Sequence, residues 1–194
     1  MISEPDKLSK VAFIGVGGGG VNMLESWLDK LPGDALCIAL DRDEKSFHRK
    51  KIFEHKLVLS KVKAVGSTVE YSASVKSEVQ ASIDEQKYEL EALLKDRDNV
   101  IVLAGLGGVI GTWASQLICN RLIAMDKQVV TVLVMPFGFE RERMKVAEYA
   151  LPGFDGAAHR VLCFNDYLIK HTPENASMAD AFEIMNQKAF ELFI

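Results

Sequence analysis

Apolar residues in this chain fall into short dense runs, separated by longer stretches where they recur every three or four positions. The runs Val11–Val16, Ala35–Leu40, Leu57–Leu59, Val100–Ala104, Val129–Met135 and Val161–Phe164 predict strands. Some are apolar at nearly every position, as in Val129-Val130-Thr131-Val132-Leu133-Val134. That pattern suits strands covered by helices on both faces, the usual condition of a parallel sheet. Helical spacing marks Val21–Leu31, Val75–Lys95, Val109–Met125, Glu140–Tyr149 and the stretch from Ala176 to Ile194, with Pro32-Gly33 and Pro152-Gly153 as stop signals after two of them. The alternation predicts an α/β fold with a doubly wound, mostly parallel, Rossmann-like sheet. Arg49–Ser74 follows neither period for long, and there is no internal repeat, low-complexity tract or linker.

Composition narrows the picture. The 194 residues, 48% apolar and 26% charged, suffice for one core, so residues 1–194 are expected to form a single domain. The 23 Lys and Arg against 27 Asp and Glu leave a net charge of −4 without a basic block, which argues against a nucleic-acid partner. Cys37, Cys119 and Cys163 stand far apart, giving neither a disulfide framework nor a metal knuckle, and a reducing, cytoplasmic setting is expected. No signal peptide, membrane-spanning run or membrane insertion is predicted. The histidines His48, His55, His159 and His171 lack metal-ligand spacing.

Candidate chemistry lies in two glycine segments, each joining a predicted strand to a predicted helix. In Gly15-Val16-Gly17-Gly18-Gly19-Gly20 the backbone N–H groups are unobstructed by Cβ atoms at the positive end of a helix, where phosphate oxygens bind. Alone, it also matches a dinucleotide fingerprint, with Asp41 placed to meet a ribose hydroxyl, as in an NAD-binding oxidoreductase. The second segment, Ala104-Gly105-Leu106-Gly107-Gly108-Val109-Ile110-Gly111-Thr112, has no counterpart in an ordinary dinucleotide fold. Two such loops facing each other across a switch point would clasp one polyphosphate, and a triphosphate suits that arrangement better than a dinucleotide.

These segments resemble those of the FtsZ/tubulin superfamily of GTP-dependent polymerising proteins. KVAFIGVGGGGVNML at Lys10–Leu24 resembles the first phosphate loop, and AGLGGVIGTWASQL at Ala104–Leu117 resembles the tubulin signature loop. Pro136-Phe137-Gly138-Phe139-Glu140 resembles the ribose segment, and Phe164-Asn165-Asp166 with Ala179-Asp180-Ala181-Phe182 resembles the base-reading segment. The resemblance implies strand order 3-2-1-4-5-6 and binding of GTP or GDP with Mg²⁺. It also implies phosphates cradled by Gly17, Gly18, Gly19, Gly20, Gly107, Gly108, Gly111 and Thr112, with Asn22 reaching the nucleotide from the first helix. Glu140 would accept from the ribose, Asn165 and Asn186 would read guanine, and Phe182 would stack on the base. Plainer roles remain open: Phe182, Met185, Ala189 and Phe190 as a core stripe, Asn165-Asp166 as a helix cap, and Glu140 as a helix-dipole partner.

Departures from the family pattern cluster at the γ-phosphate end. Val109, Ile110 and Trp113 stand where Gly, Thr and Gly are expected, and Val21 replaces a glycine of the first loop. Ala64-Val65-Gly66-Ser67-Thr68 is the candidate third phosphate loop, and Asp43 the residue placed to approach magnesium through water. In the family, a catalytic loop and a second domain follow the helix that here reaches Ile194, so binding with weak or no hydrolysis by this chain alone is expected. Self-association, or a protein partner over the C-terminal helix, is the expected protein contact. A nucleotide-free interaction module is the other alternative to guanine-nucleotide binding.

Overall fold

The structure is a computed structural model, and it describes residues 10–43, 47, 53–60, 62 and 74–194. The candidate third phosphate loop at 64–68 and His48 lie outside the described residues. The strands are β1 (Val11–Val16), β2 (Leu36–Asp41), β3 (His55–Val58), β4 (Asn99–Gly105), β5 (Gln128–Met135) and β6 (His159–Phe164). All pair in parallel in the order β3-β2-β1-β4-β5-β6, as the resemblance implies. The chain winds outward in both directions from β1 and β4, so their carboxyl ends flank the switch point where such sheets leave a crevice.

Side-chain alternation along the central strands divides the interior into two cores. Ala12, Ile14 and Val16 of β1, Val100, Val102 and Ala104 of β4, and Val129, Leu133 and Met135 of β5 face one layer. Val11, Phe13, Ile101, Leu103, Val132 and Val134 face the other. Each strand is therefore hydrophobic at consecutive positions, because each face has its own helical cover. The first layer is closed by α2 (Lys76–Glu85), α3 (Lys87–Leu93), a π-helical turn over Ile110–Ala114 with α4 (Ser115–Ala124), and α5 (Arg141–Ala150). The second is closed by α1 (Gly17–Trp27), α6 (Asp166–His171) and α7 (Met178–Phe193).

Three local features depart from the periodicity reading. The first helix begins at Gly17, so Gly17–Gly20 form its opening turn instead of a loop before it. The stretch expected as one helix over Val75–Lys95 divides at Gln86, whose side-chain amide turns to donate to the Val58 carbonyl at 3.2 Å. Asp166–His171 forms a short helix that the apolar pattern does not announce.

Helix α7 sets the geometry of the crevice, and its docking is specific. Its start is fixed by a capping box between Ser177 and Asp180. Farther along, Trp27 packs edge-on against Phe190 at 5.1 Å and stacks on Phe193 at 5.6 Å, while its indole N–H donates to the Asn186 carbonyl at 2.9 Å. The helix whose first turn is the glycine run is thus pinned, at its other end, to the helix carrying Phe182 and Asn186.

Candidate nucleotide site

Two adjoining cavities occupy the carboxyl edge of the central strands. The larger, about 520 Å³, runs from the α1 turn to α7, between the segment after β5 and the end of β6. The smaller, about 310 Å³, lies over the α1 turn and the segment that follows β4. Gly18, Gly19, Gly105 and Arg143 belong to both, so the two spaces form one elongated cleft.

The glycines in and around this cleft fall into three groups. Gly17 and Gly107 have φ of +69° and +92°, values that a Cβ strains, and they turn the chain at the start of each segment. A Cβ on Gly20 would collide with the Leu103 carbonyl oxygen, and one on Gly111 with that of Gly105, so these two bring helix backbone down onto β4. Gly108, by contrast, faces open space, and a Cβ on Gly18 would meet only Asp41 Oδ2 at 3.9 Å, so a ligand could lie against the main chain at both.

Of the residues singled out from sequence, Gly18, Gly19, Asn22, Glu140, Asn165, Phe182 and Asn186 line the larger cavity. Gly17, Gly108 and Gly111 line the smaller one. Gly20, Gly107 and Thr112 line neither cavity. Thr112 is fully buried, and its hydroxyl accepts from the Gly107 N–H at 2.9 Å, holding the segment in shape from beneath. Asp41 lines the smaller cavity and accepts from the Arg42 N–H at 2.7 Å.

Asn165 and Asn186 are among the polar residues of the larger cavity, with Asn22, Glu140 and Arg143. Asn186 is 5% exposed, and its amide nitrogen has no hydrogen-bond partner; the side-chain oxygen of Asn165 is likewise buried without one. A donor and an acceptor buried without partners, in two residues that line the same cavity, carry a desolvation penalty that complementary groups would relieve. Phe182, one helical turn before Asn186 and 37% exposed, presents its ring at the mouth.

Sequence reasoning missed Arg143. It follows Glu140 by one turn of α5, pairs with that carboxylate at 2.5 Å, and stands where the cavities join. The other Glu140 oxygen accepts from the Phe137 N–H at 3.0 Å, and Asp166 accepts from the Gly138 N–H at 2.9 Å. These bonds fix the loop that stacks Phe137 on Phe139 at 4.9 Å beside the cavity. The i, i+3 spacing of Glu140 and Arg143 was the available signal. Trp113, which stands where the family has Gly, is buried behind the signature segment, edge-on to Tyr149 at 6.1 Å and beneath the Lys76 ammonium at 4.8 Å.

The sheet order and the cleft at its switch point define a doubly wound α/β domain with a composite ligand site spanning two strand-to-helix turns. The family model described as "Tubulin/FtsZ family, GTPase domain" matches residues 10–172, and the chain belongs to that family. It is 30% identical over 191 residues to the cell division protein FtsZ of Buchnera aphidicola from Acyrthosiphon pisum, and 28% identical over the same length to that from Baizongia pistaciae. Each alignment covers 94% of this chain and 48% of the relative, so the chain spans about half the length of the curated relatives it matches. In fold it is similar to an FtsZ dimer from M. jannaschii, described as empty (TM-score 0.76, 23% identity, 93% of this chain and 52% of that one). It is also similar to CetZ2 from Haloferax volcanii in a GTPγS-bound protofilament (TM-score 0.75, 20% identity, 94% of this chain and 57% of that one).

Proposed function

We propose that this chain is a guanine-nucleotide-binding domain that holds GTP or GDP, with magnesium, across the two joined cavities. The observation that carries the reading is the pair of unmet amide atoms, Asn165 Oδ1 and Asn186 Nδ2, in two residues that line a cavity large enough for a nucleoside. Guanine presents donors and acceptors side by side on one edge and would satisfy both atoms, while Phe182 covers its face. Glu140, held by Phe137 and Arg143, keeps acceptor capacity for ribose hydroxyls. The phosphates would then run from the junction, against the Gly18 and Gly19 turn and the Arg143 guanidinium, into the smaller cavity beside the open Gly108 backbone.

Among the described residues no three acidic, histidine or cysteine side chains gather to hold a metal. Magnesium would therefore come with the phosphates and water, Asp41 being the carboxylate of the smaller cavity. That single carboxylate offers little to activate water, so we assign the chain binding with weak or no hydrolysis. Self-association into filaments, a role in cell division and a cytoplasmic location form the wider proposal, supported by family membership and by the relatives' names. Among the described residues, no helix is long and apolar enough to cross a membrane. The guanine reading is favoured over NAD because the larger cavity extends from the glycine turn toward α7, away from Asp41.

The test is thermal unfolding with GDP, ATP or NAD, each with magnesium. A ligand at a hundred times its Kd adds about 2.7 kcal/mol to stability. A rise in Tm with GDP alone supports the proposal, and a rise with NAD alone overturns it.

A further inference from the structure

We propose that the larger cavity takes 6-oxopurine nucleotides as a class, binding hypoxanthine and xanthine about as well as guanine, because carboxamides and not a carboxylate are left to read the base edge; this rests on the guanine-nucleotide reading above. The three bases differ only at C2, where guanine carries an amino group, hypoxanthine a hydrogen and xanthine an oxygen. A carboxylate would single out guanine, since its two oxygens accept from N1–H and the 2-amino group together.

The fold directs the neighbouring carboxylates elsewhere. Met178, Phe182, Met185 and Asn186 are the α7 residues that line the cavity, at the spacing of one helical face. Asp180 and Glu183 line a separate groove beside Tyr167 of α6; Asp180 closes the capping box with Ser177, and Glu183 accepts from the Ser26 hydroxyl at 2.7 Å. Asp166, just past β6, accepts from the Gly138 N–H at 2.9 Å. Among the described residues the carboxylate of the cavity is Glu140, whose two oxygens meet Arg143 and the Phe137 N–H.

Asn165 and Asn186 remain for the base edge. A carboxamide sets one acceptor beside one donor, the complement of N1–H and O6, which all three bases share. The buried Asn186 nitrogen has no partner and calls for an acceptor; O6 is one, and the 2-amino group is not. At C2 a carboxamide is indifferent, accepting from an amino group or, turned over, donating to the oxygen of xanthine. A neutral hydrogen bond to the amino group adds about two- to tenfold in affinity, against about ten- to a hundredfold for one to a carboxylate.

The experiment is calorimetric titration of the full chain with GDP, inosine diphosphate and xanthosine diphosphate, with magnesium in excess so that the phosphate end is common to all arms. The expected result is that the inosine and xanthosine nucleotides bind within about tenfold of GDP. Asn186→Asp sets a carboxylate against the base, and xanthosine diphosphate, whose base is anionic near neutral pH, should then weaken relative to GDP by about tenfold or more. Asn165→Asp provides the same test if Asn186→Asp does not fold by circular dichroism. GDP that binds tighter than either relative by more than the stated margin overturns the inference and leaves the guanine reading standing. An unchanged ratio in a folded aspartate variant overturns the role given to the carboxamides, and silence from all three nucleotides overturns inference and reading together.

Discussion

Replacing Asn186 by leucine should make the empty protein more stable and the binding protein worse. Asn186 is 5% exposed on α7, and its amide nitrogen has no partner, so the folded chain bears the desolvation of that group without a compensating bond. Such a group costs about 1–3 kcal/mol, and leucine has similar volume with no polar atom. The contact that docks α7 at this residue is made by the main chain, where Trp27 donates to the Asn186 carbonyl at 2.9 Å, and it survives the exchange. The expected gain is therefore about 1 kcal/mol or slightly more, which raises Tm by about 2–4 °C per kcal/mol in a chain of this size. Removing a group proposed to read the base should at the same time weaken GDP by about tenfold or more. Thermal unfolding of wild type and Asn186→Leu, with and without GDP, reads both effects in one series. A variant less stable than wild type without nucleotide, or one that GDP stabilises as strongly as wild type, would refute the reasoning.

Other positions separate packing from binding. Gly20→Ala places a Cβ against the Leu103 carbonyl and should destabilise the fold severely, whereas Gly108→Ala meets open space and should fold normally while weakening nucleotide; urea denaturation and nucleotide titration distinguish them. Phe182→Ala should cost about 1–3 kcal/mol of nucleotide affinity, the range for one base stacked on an aromatic ring, and calorimetry measures it. Burial pushes the Cys37 thiol up to about 11, and the Cys163 thiol to about 11 despite the lowering influence of Lys188. Burial raises Cys119 further. All three thiols should therefore stay protonated at neutral pH, and labelling by a thiol reagent should be slow until pH nears 11 or the protein unfolds.

The sheet was legible because every central strand buries both faces, which leaves consecutive apolar residues that no surface strand would carry. Strand ends shifted by a residue or two, as at β2, where Asp41 continues the ladder by pairing with Val58. The division of the second predicted helix at Gln86 was not legible, since it depends on a bond to the distant Val58 carbonyl. At the site, residue type marked the glycines but not their division of labour. Gly20 faces the Leu103 carbonyl of β4, and Gly18 faces the cleft, a difference that arises only when helix and strand are packed. Thr112 reads from sequence as a ligand to phosphate, yet its hydroxyl turns inward to Gly107. Arg143 lay in a polar helical stretch, and only folding brings it to the junction of the cavities.

The central claim is that a guanine base meets the unmatched amides of Asn165 and Asn186. The most direct test is nuclear magnetic resonance of the isotope-labelled chain, following asparagine side-chain amide signals during titration with GDP and, separately, ATP. The account predicts saturable shifts of the Asn165 and Asn186 signals with GDP, at concentrations where ATP leaves them in place. Saturable GDP binding that leaves both signals unmoved would contradict it.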